Sequence, residues 1–331
     1  MGTKEQLLTL LENNKGTFFS GEDIAGALHV SRTAVWKAVR SLRDEGYSIS
    51  AVPNRGYSLS ADTDILSAQG IRKYLAPVCR DLNIKVLPAV HSTNDLIREK
   101  ATAGAPEGCT LIALHQTAGK GRRGHSFYSP AGTGIYMSIL LRPKHCSAQD
   151  AAGLTTMAAV AACEAIENIS GETAMIKWVN DIFVNGKKCA GILTEASVSL
   201  ENGLVDYAVL GIGINVLPPE EGFPDEISDI AGAAFTTPVS DGKNRLAAEF
   251  LNRFLTYYRK PERTGLFHRY RERCFVLGKT VRVISAGKSR AARVLDLDKD
   301  FRLFVEYEDG TQEHLLSGEI SVRPLQDKSE F

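Results

Sequence analysis

The sequence predicts a three-domain α/β protein. The expected domains are an N-terminal winged helix-turn-helix at 1–63, a central α/β domain with a mixed sheet at 64–273 and a C-terminal SH3-like β-barrel at 274–331. The spacing of apolar residues supports this prediction. Apolar residues follow a helical period and then alternate at the N-terminus, show both patterns in the middle, and only alternate at the C-terminus. The 331 residues also suit two or three domains of roughly 100–200 residues each.

Composition narrows the possible classes of protein. The formal net charge is +0, so any nucleic-acid binding must come from a local basic patch. The 6 cysteines are scattered without a C-x-x-C pair, which predicts reduced, mostly buried thiols and no disulfide framework or zinc site. No signal peptide starts the chain, and no apolar run reaches the ~18 residues of a membrane span. We therefore expect a cytoplasmic protein without a membrane partner.

The first domain has the pattern of a helix-turn-helix with a wing. Ser20 and Ser31 each precede a helical apolar pattern and are predicted N-caps, with Asp23 in capping-box position after Ser20. The helix at 32–43 has an apolar stripe that should face inward. Two alternating runs, at 47–52 and 56–59, form a hairpin with a basic tip.

This arrangement predicts a DNA-binding face, because a winged helix lays its second motif helix in the major groove. The candidate DNA-binding residues are Ser31, Arg32, Thr33, Trp36, Lys37, Arg40 and Arg55. For the Trp36 ring, helical spacing favours a core position instead. A protein-binding winged helix is the alternative for the whole module. Since one small module binds DNA weakly, specific recognition would suggest a homodimer on a two-part site.

A glycine-rich basic loop at 116–124 predicts an anion site. Its Gly119-Lys120-Gly121-Arg122-Arg123-Gly124 core combines backbone N–H groups that a ligand can approach with fixed positive charge. The core also matches the G-x-G-x-x-G dinucleotide fingerprint, but no helix follows it: Pro130, Gly132 and Gly134 precede a strand at 135–141. The dinucleotide fold is therefore excluded, and a basic surface loop is the alternative to an anion site.

Polar residues interrupt the apolar patterns elsewhere in the central domain. A helix at 94–103 should have Ser92 or Thr93 as its cap. A strand at 177–184 and a returning strand at 190–195 form a hairpin that could gather two cations, an amide and a carboxylate, although a solvated surface is the alternative. A buried strand at 207–216 contains the polar Asn215.

The C-terminal part predicts one helix and a small barrel. An amphipathic helix is expected at 244–258. Five short strands follow at 280–285, 289–296, 303–307, 312–315 and 320–323, and Asp309-Gly310 marks a hairpin between two of them.

Five motifs occur in a fixed order: H-S-T-N at 91–94, Q-T-A-G-K-G-R-R-G at 116–124, K-W-V-N-D at 177–181, K-C-A-G-I-L-T-E at 188–195 and G-I-G-I-N at 211–215. Together with the winged helix, they make nearly the whole chain resemble the bifunctional biotin–protein ligases that also repress biotin operons. The resemblance implies a class II synthetase-like fold for the central domain. The chain has Lys120 where the family more often has Arg, and Val179 where it more often has Pro.

The resemblance implies a two-step reaction. Biotin and ATP, with Mg²⁺ expected beside the triphosphate, would give biotinyl-5′-AMP, which would then acylate one lysine of the biotin carboxyl carrier domain of acetyl-CoA carboxylase or a related carboxylase. The biotin carboxylate itself attacks the α-phosphate, so no enzyme nucleophile is required. The protein would also act as a biotin-responsive repressor of biotin synthesis and uptake genes. The alternatives are a pure biotin-sensing transcription factor and a lipoate ligase.

The same resemblance implies residue roles. Biotin would be bound by Ser92, Thr93, Asn94, Gln116, Lys120, Gly121, Arg122 and Lys188. ATP or the adenylate would be bound by Lys120, Arg122, Asn180, Lys188 and Asn215. The implied catalytic residues are Lys188, Arg122 and Asp181, with Asp181 orienting either the target lysine amine or Mg²⁺. No protein metal site is assigned.

Overall fold

The N-terminal residues form three helices and a hairpin around their own apolar core. The computed structural model describes residues 2–144, 146–259, 264–285, 288–316 and 321–324. Helices α1 (Thr3–Asn13), α2 (Gly21–Leu28) and α3 (Arg32–Asp44) precede strands β1 (Ile49–Val52) and β2 (Gly56–Leu59), which pair antiparallel. This is the predicted winged helix-turn-helix.

Local sequence explains why these helices begin where they do. The Ser20 hydroxyl accepts a hydrogen bond from the Asp23 N–H at 3.0 Å, and Ser31 accepts one from the Ala34 N–H at 3.2 Å, so both predicted N-caps are confirmed. The prediction that the Trp36 ring lies in the core was wrong, because the residue is 51% exposed. The inward stripe of α3 is already filled by Val35, Ala38, Val39 and Leu42.

The central domain is built on the predicted mixed sheet. Its strands are β3 (Asn83–Leu87), β4 (Cys109–Ala113), β5 (Gly134–Leu141), β6 (Ala174–Lys177), β7 (Asp181–Val184), β8 (Lys187–Val198) and β9 (Val205–Asn215). They follow the order β3-β4-β5-β9-β8-β7-β6, in which only the β3–β4 pair is parallel. Strands β8 and β9 carry two of the five motifs, at 188–195 and 211–215.

Helices cover both faces of this sheet. They are α4 (Ala68–Arg72), α5 (Thr93–Thr102), α6 (Ala148–Ser170), α7 (Gly242–Arg259) and α8 (Thr264–Arg273). Helix α5 packs on one face through Ile97 and Ala101, while α6 and α7 belong to the main core on the other face. The alanines of α6 allow it to lie close to the sheet, since Ala158, Ala159, Ala161 and Ala162 are fully buried. No helix within the described ranges is long and apolar enough to cross a bilayer.

The predicted single strand at 177–184 was wrong. The chain instead reverses at 178–180, where the Trp178–Val179 peptide bond is cis, and β6 and β7 pair antiparallel with Lys177 opposite Asp181. The second reversal uses Asn185 and Gly186, both with positive φ (50° and 75°), so β8 already begins at Lys187. The apolar pair Trp178-Val179 contains no turn signal, and this concealed the first reversal.

The C-terminal domain contains the five predicted strands. They are β10 (Thr280–Ser285), β11 (Lys288–Leu297), β12 (Leu303–Tyr307), β13 (Gln312–Leu315) and β14 (Ser321–Pro324). All pairs are antiparallel, in the order β13-β12-β11-β10-β14. The first residue of the predicted strand at 320–323 lies outside the described residues. Helix α8 was not predicted, since its sequence offers few apolar positions, among them the buried Leu266 and Tyr270.

The segment after the winged helix connects the first two domains through side-chain contacts. It contains α4 and joins α1 to the start of α7 through a buried ion-pair network. Lys73 Nζ lies 2.7 Å from the Glu12 carboxylate and 2.8 Å from that of Asp241, and Lys15 Nζ lies 3.0 Å from Asp241. None of these four side chains is more than 13% exposed. The network fixes the winged helix on the central domain.

This junction should make stability sensitive to acid. Burial alone would raise the pKa of Asp241, but hydrogen bonds from Lys73, Tyr74, Asn244 and Lys15 outweigh it and lower this pKa to about 2. Because the folded-state pKa lies below the unfolded value of about 3.9, the stabilisation is complete above that pH and disappears as the pH falls through about 2. We expect Asp241→Asn to lower the free energy of unfolding at neutral pH by about 2–4 kcal/mol.

Urea unfolding of both proteins between pH 7 and pH 2 measures this effect. The difference between wild type and Asp241→Asn should shrink as the pH falls below about 4. The control is Asp81→Asn, because the Asp81 side chain is 61% exposed and should contribute little. A wild-type advantage that stays constant down to the acid end would contradict the assigned role.

Candidate active site

A cavity of about 200 Å³ lies between the N-terminus of α5, the glycine-rich loop and strands β7, β8 and β9. Most of the predicted ligand-binding residues line it. Those residues are Ser92, Thr93, Asn94, Gln116, Lys120, Gly121, Arg122, Asn180, Asp181 and Lys188. Segments that are far apart in sequence therefore meet in one place.

The floor of this cavity consists of glycines on neighbouring strands. Gly191 of β8 pairs with Gly213 of β9, and Gly211 is two residues from Gly213 on the same strand. A Cβ at Gly211 would lie 2.1 Å from Asn94 Oδ1, and one at Gly213 would lie 2.5 Å from the Phe127 ring. Only glycine lets these side chains lie directly against the sheet.

One wall is a buried polar network at the start of α5. The Asn94 Nδ2 group donates to the Glu195 carboxylate at 2.7 Å, and Asn94 Oδ1 accepts from the Ser138 hydroxyl at 2.6 Å. Because a carboxylate only accepts, Glu195 fixes which end of the Asn94 amide faces which partner. The Ser138 hydroxyl also lies 2.7 Å from that of Thr93.

The cap of α5 differs from the prediction. Ser92 occupies the N-cap position, but its side chain makes no capping hydrogen bond, and Thr93 is already the first helical residue. The Thr93 N–H instead donates to Gln116 Oε1 at 2.8 Å. Gln116 lies 23 residues away in sequence, so a local capping pattern does not reveal it. The Ser92 side chain is thereby left for another partner in the cavity.

The glycine-rich loop folds back on itself instead of starting an α-helix. The Gly121 N–H donates to the His125 carbonyl at 2.7 Å, and the Phe127 N–H donates to the Gly119 carbonyl at 2.8 Å. Lys120 Nζ lies 2.6 Å from the Asp95 carboxylate of α5. The exclusion of a dinucleotide-binding turn is confirmed, because a single 3₁₀ turn, Arg122–Gly124, stands where the long helix would begin.

The opposite wall carries the charged groups. Arg122 donates to Asn180 Oδ1 at 3.0 Å, and Lys188 Nζ lies 2.7 Å from the Asp181 carboxylate. Burial lowers the pKa of Arg122 below its usual value, and the neighbouring Arg123 charge lowers it further. A partly desolvated guanidinium in such surroundings favours an anionic ligand.

One predicted ligand residue lies elsewhere. Asn215 does not line the cavity, since it ends β9 and its Nδ2 group donates to the Gly232 carbonyl at 3.1 Å. Sequence reasoning also missed Asp95, Phe127, Ser138 and Glu195, which hold or line the site. Ser138 had a visible signal, because it is a lone polar residue in the apolar run at 135–141.

The cavity therefore combines a polar, uncharged side with a cationic side. The first side suits a ring with amide-like donors and acceptors, and the second suits carboxylate and phosphate oxygens. No cluster of His, Cys, Asp or Glu that could hold a metal was found among the described residues. The arrangement is suited to aligning two anions and stabilising developing negative charge.

The candidate DNA-binding residues form a separate surface. Ser31 caps α3, while Arg32, Thr33, Trp36, Lys37 and Arg40 are exposed along it. Arg55 is exposed at the hairpin tip, with its guanidinium 4.2 Å from the Phe18 ring centroid. Arg43 has a structural contact instead, since it donates to the Ile49 carbonyl and so ties α3 to the wing.

Comparison with known proteins agrees with this division of the chain. Residues 86–215 match the biotin/lipoate A/B protein ligase family, residues 3–58 match an HTH domain, and residues 276–323 match the biotin protein ligase C-terminal domain. A solved structure of biotin protein ligase from Aquifex aeolicus in complex with biotin and ATP superposes with a TM-score of 0.62 at 28% identity, covering 73% of this chain and 99% of that one.

Curated relatives are named as both ligase and repressor. The bifunctional ligase/repressor BirA of Bacillus spizizenii is 41% identical over 228 residues, 69% of either chain. The protein of the same name from Escherichia coli is 30% identical over 327 residues, 96% of either chain. Fold, cavity and relatives define a ligase that carries a DNA-binding module. The chain belongs to the biotin/lipoate A/B protein ligase family.

The Ser138 hydroxyl should be essential to the polar wall. Ser138 is fully buried, so Ser138→Ala leaves Asn94 Oδ1 without this donor and should lower the free energy of unfolding by about 1–3 kcal/mol. Urea unfolding at pH 7 measures the change. The matched control is Ser126→Ala, since Ser126 borders the cavity but is exposed. Equal stability of the two variants would contradict this role.

Proposed function

We propose that the protein is a bifunctional biotin ligase and biotin-responsive repressor. It forms biotinyl-5′-AMP from biotin and ATP, transfers biotin to a lysine of a biotin carboxyl carrier domain, and regulates biotin genes through its winged helix. The observation that carries the proposal is the single cavity in which a polar wall faces a cationic wall across a glycine floor. Family membership supports the choice of biotin.

The polar wall recognises the ring of biotin. A ureido group presents both N–H donors and a carbonyl acceptor, so it needs partners of both kinds. Ser92, Thr93, Asn94 and Gln116 supply hydroxyl and amide groups on this wall. The buried bonds from Asn94 to Glu195 and Ser138 hold the amide in one orientation before any ligand enters. Such preorganisation reduces the entropy lost on binding.

The cationic wall supports the first chemical step. An oxygen of the biotin carboxylate attacks the α-phosphorus of ATP, the bond to the pyrophosphate oxygen breaks, and pyrophosphate leaves. Lys120, Gly121 and Arg122 enclose the carboxylate and the phosphate, while Lys188 neutralises charge on the reacting oxygens. Asn180 orients Arg122 through their 3.0 Å hydrogen bond. Asn215 lies outside the cavity, so it would contact ATP only from the end of β9.

In the second step, the amine of the target lysine attacks the acyl carbon of the adenylate and AMP leaves. Asp181 is the carboxylate that lines the cavity beside Lys188, at 2.7 Å from its Nζ. It is suited to orient the incoming amine. Mg²⁺ is expected with the triphosphate, and such ions keep few protein ligands. The cavity fits a metal held mainly by phosphate oxygens, and Asp181 is the lining carboxylate that would contact it.

The direct experiment is transfer of labelled biotin to an isolated carrier domain. We expect labelled carrier in the presence of ATP and none without it. Lipoate added in excess should compete only weakly, although the same scaffold serves lipoate ligases. Preferred transfer of lipoate would indicate the lipoate ligase instead, and absence of pyrophosphate release with either acid would indicate a transcription factor with a degenerate ligase domain.

The winged helix supplies the regulatory function. It would bind operator DNA as a homodimer, with α3 in the major groove and the β1–β2 hairpin along the backbone. The proposed partners, a carrier domain and operator DNA, place the protein in the cytoplasm. If the adenylate orders a loop that also borders the dimer interface, adenylate binding favours the dimer and hence the operator. Operator affinity that ignores biotin and ATP would count against this coupling.

Loss of the Arg122 side chain should release the adenylate. Arg122→Gly removes the charge that holds the phosphate, so dissociation of biotinyl-5′-AMP should accelerate by about ten- to hundred-fold. Unselective biotinylation of lysines on a bystander protein measures the escape. The matched control is Arg123→Gly, which removes a charge from the same loop at a position whose φ of 57° suits glycine. Retention of the adenylate by Arg122→Gly would overturn its assigned role.

Lys188 should be required for adenylation but not for folding. Lys188→Ala removes positive charge from the reacting oxygens, and we expect pyrophosphate release to fall by about 100-fold or more. Lys187→Ala is the control, because the Lys187 amine contacts the Ser228 carbonyl outside the cavity. A normal rate of pyrophosphate release from Lys188→Ala would show that another group supplies the charge.

The DNA surface predicts a salt effect. Lys37→Ala should reduce by about 2 the slope of log affinity against log salt concentration for operator DNA, because each protomer of the homodimer loses one phosphate contact. Lys144→Ala, a change of the same type on the exposed surface of the central domain, should leave the slope unchanged. Fluorescence anisotropy across a salt series measures both. Equal slopes for wild type and Lys37→Ala would remove Lys37 from the interface.

A further inference from the structure

The turn at 178–180 is held from outside the central sheet at two points. The indole N–H of Trp178 donates to the Phe301 carbonyl at 2.8 Å, and the Tyr270 hydroxyl donates to the Val179 carbonyl at 3.0 Å. Trp178 and Val179 are 5% and 2% exposed, and Tyr270 is fully buried. The Tyr270 hydrogen bond is buried and the Trp178 hydrogen bond is part-buried, so losing either donor should be costly.

Both partners come from the C-terminal part of the chain. Tyr270 lies on α8, and Phe301 lies in the turn between β11 and β12. Phe301 has a φ of 61°, a left-handed conformation that residues other than glycine seldom adopt. Its ring packs edge-on against the rings of Tyr270 and Phe267, with centroids 5.3 and 5.6 Å apart. This packing holds the Phe301 carbonyl towards Trp178.

The hydrogen bonds from Trp178 to Phe301 and from Tyr270 to Val179 together form a clamp on the turn. The clamped turn leads directly into the cationic wall. Asn180 follows Val179 and accepts the hydrogen bond from Arg122 at 3.0 Å, and Asp181 pairs with Lys188. The polar wall is built differently, since Thr93 and Asn94 are held by Gln116, Ser138 and Glu195. The clamp thus contacts only one of the two walls.

We propose that Trp178 and Tyr270 are positioning residues, through which helix α8 and the C-terminal domain set the geometry of Asn180 and Asp181 for the ATP-dependent step. The inference rests on the proposed biotin ligase function and deepens it. Tyr270 lies outside the cavity and Trp178 borders it, and the role assigned to both is to hold Asn180 and Asp181. The clamp serves phosphoryl chemistry and leaves recognition of the biotin ring to the other wall.

The variants Trp178→Phe and Tyr270→Phe test the clamp, because each removes a hydrogen-bond donor and keeps an aromatic ring. We expect kcat/KM for ATP in pyrophosphate release to fall by about three- to ten-fold in each, as for loss of one buried hydrogen bond. The Kd for biotin, measured by calorimetry without ATP, should stay within about two-fold of wild type, since hydrogen bonds to the ring are retained. This split is the decisive readout, because a general loosening of the fold would weaken both.

Tyr307→Phe is the matched control for Tyr270→Phe. It removes the hydroxyl of a buried tyrosine of the C-terminal domain, which donates a part-buried hydrogen bond to Glu313 at 2.7 Å on the same sheet. Its ATP kinetics and biotin affinity should both match wild type. If Tyr270→Phe does not fold, Trp178→Phe carries the same test from the other side of the clamp.

The outcomes separate the two proposals. Wild type that forms no adenylate contradicts the proposed function. If wild type is active, the clamp is contradicted by variants whose ATP kinetics are unchanged. It is also contradicted by variants whose biotin affinity falls together with kcat/KM for ATP. Neither result contradicts the proposed function. A fall in kcat/KM for ATP with unchanged biotin affinity supports the clamp.

Discussion

The absence of side chains at Gly211 and Gly213 is the constraint on which the site depends. The amide of Asn94 lies where a Cβ at Gly211 would be, and the ring of Phe127 lies where one at Gly213 would be. The central strands can therefore bring helix α5 and the basic loop close to the sheet. The cavity, its polar wall and the approach of any flat ligand follow from this closeness.

Two walls with different chemistry meet over that floor. On the polar wall, Glu195 and Ser138 fix both ends of the Asn94 amide, so recognition of a ring can begin from one prepared arrangement. On the cationic wall, Arg122 and Lys188 are held by Asn180 and Asp181. The two walls are joined where Lys120 pairs with Asp95 at the start of α5. The lysine that replaces the family's more usual arginine thus has a protein carboxylate as its partner.

Local patterns predicted most of the fold and most of the cavity lining. Caps such as Ser20 and Ser31, the mixed sheet and the strands of the last domain are encoded within a few residues, and the ordered motifs supplied the ligand-binding residues. The failures involved partners that are distant in sequence. Gln116 caps a helix 23 residues away, Trp178 donates to Phe301 across 123 residues, and Asp241 joins a network with Lys15 across 226 residues. The periodicity of apolar residues along the sequence does not indicate which distant residues will pair.

The central claim is that a carboxylate oxygen of biotin attacks the α-phosphorus of ATP in this cavity. Biotin whose carboxylate oxygens carry a heavy isotope tests it directly. After transfer to the carrier lysine, the oxygen that bridged carbon and phosphorus leaves with AMP. The account predicts one labelled oxygen in each AMP formed, measured by mass spectrometry, and no label in pyrophosphate. Unlabelled AMP, or label recovered in pyrophosphate, would contradict it.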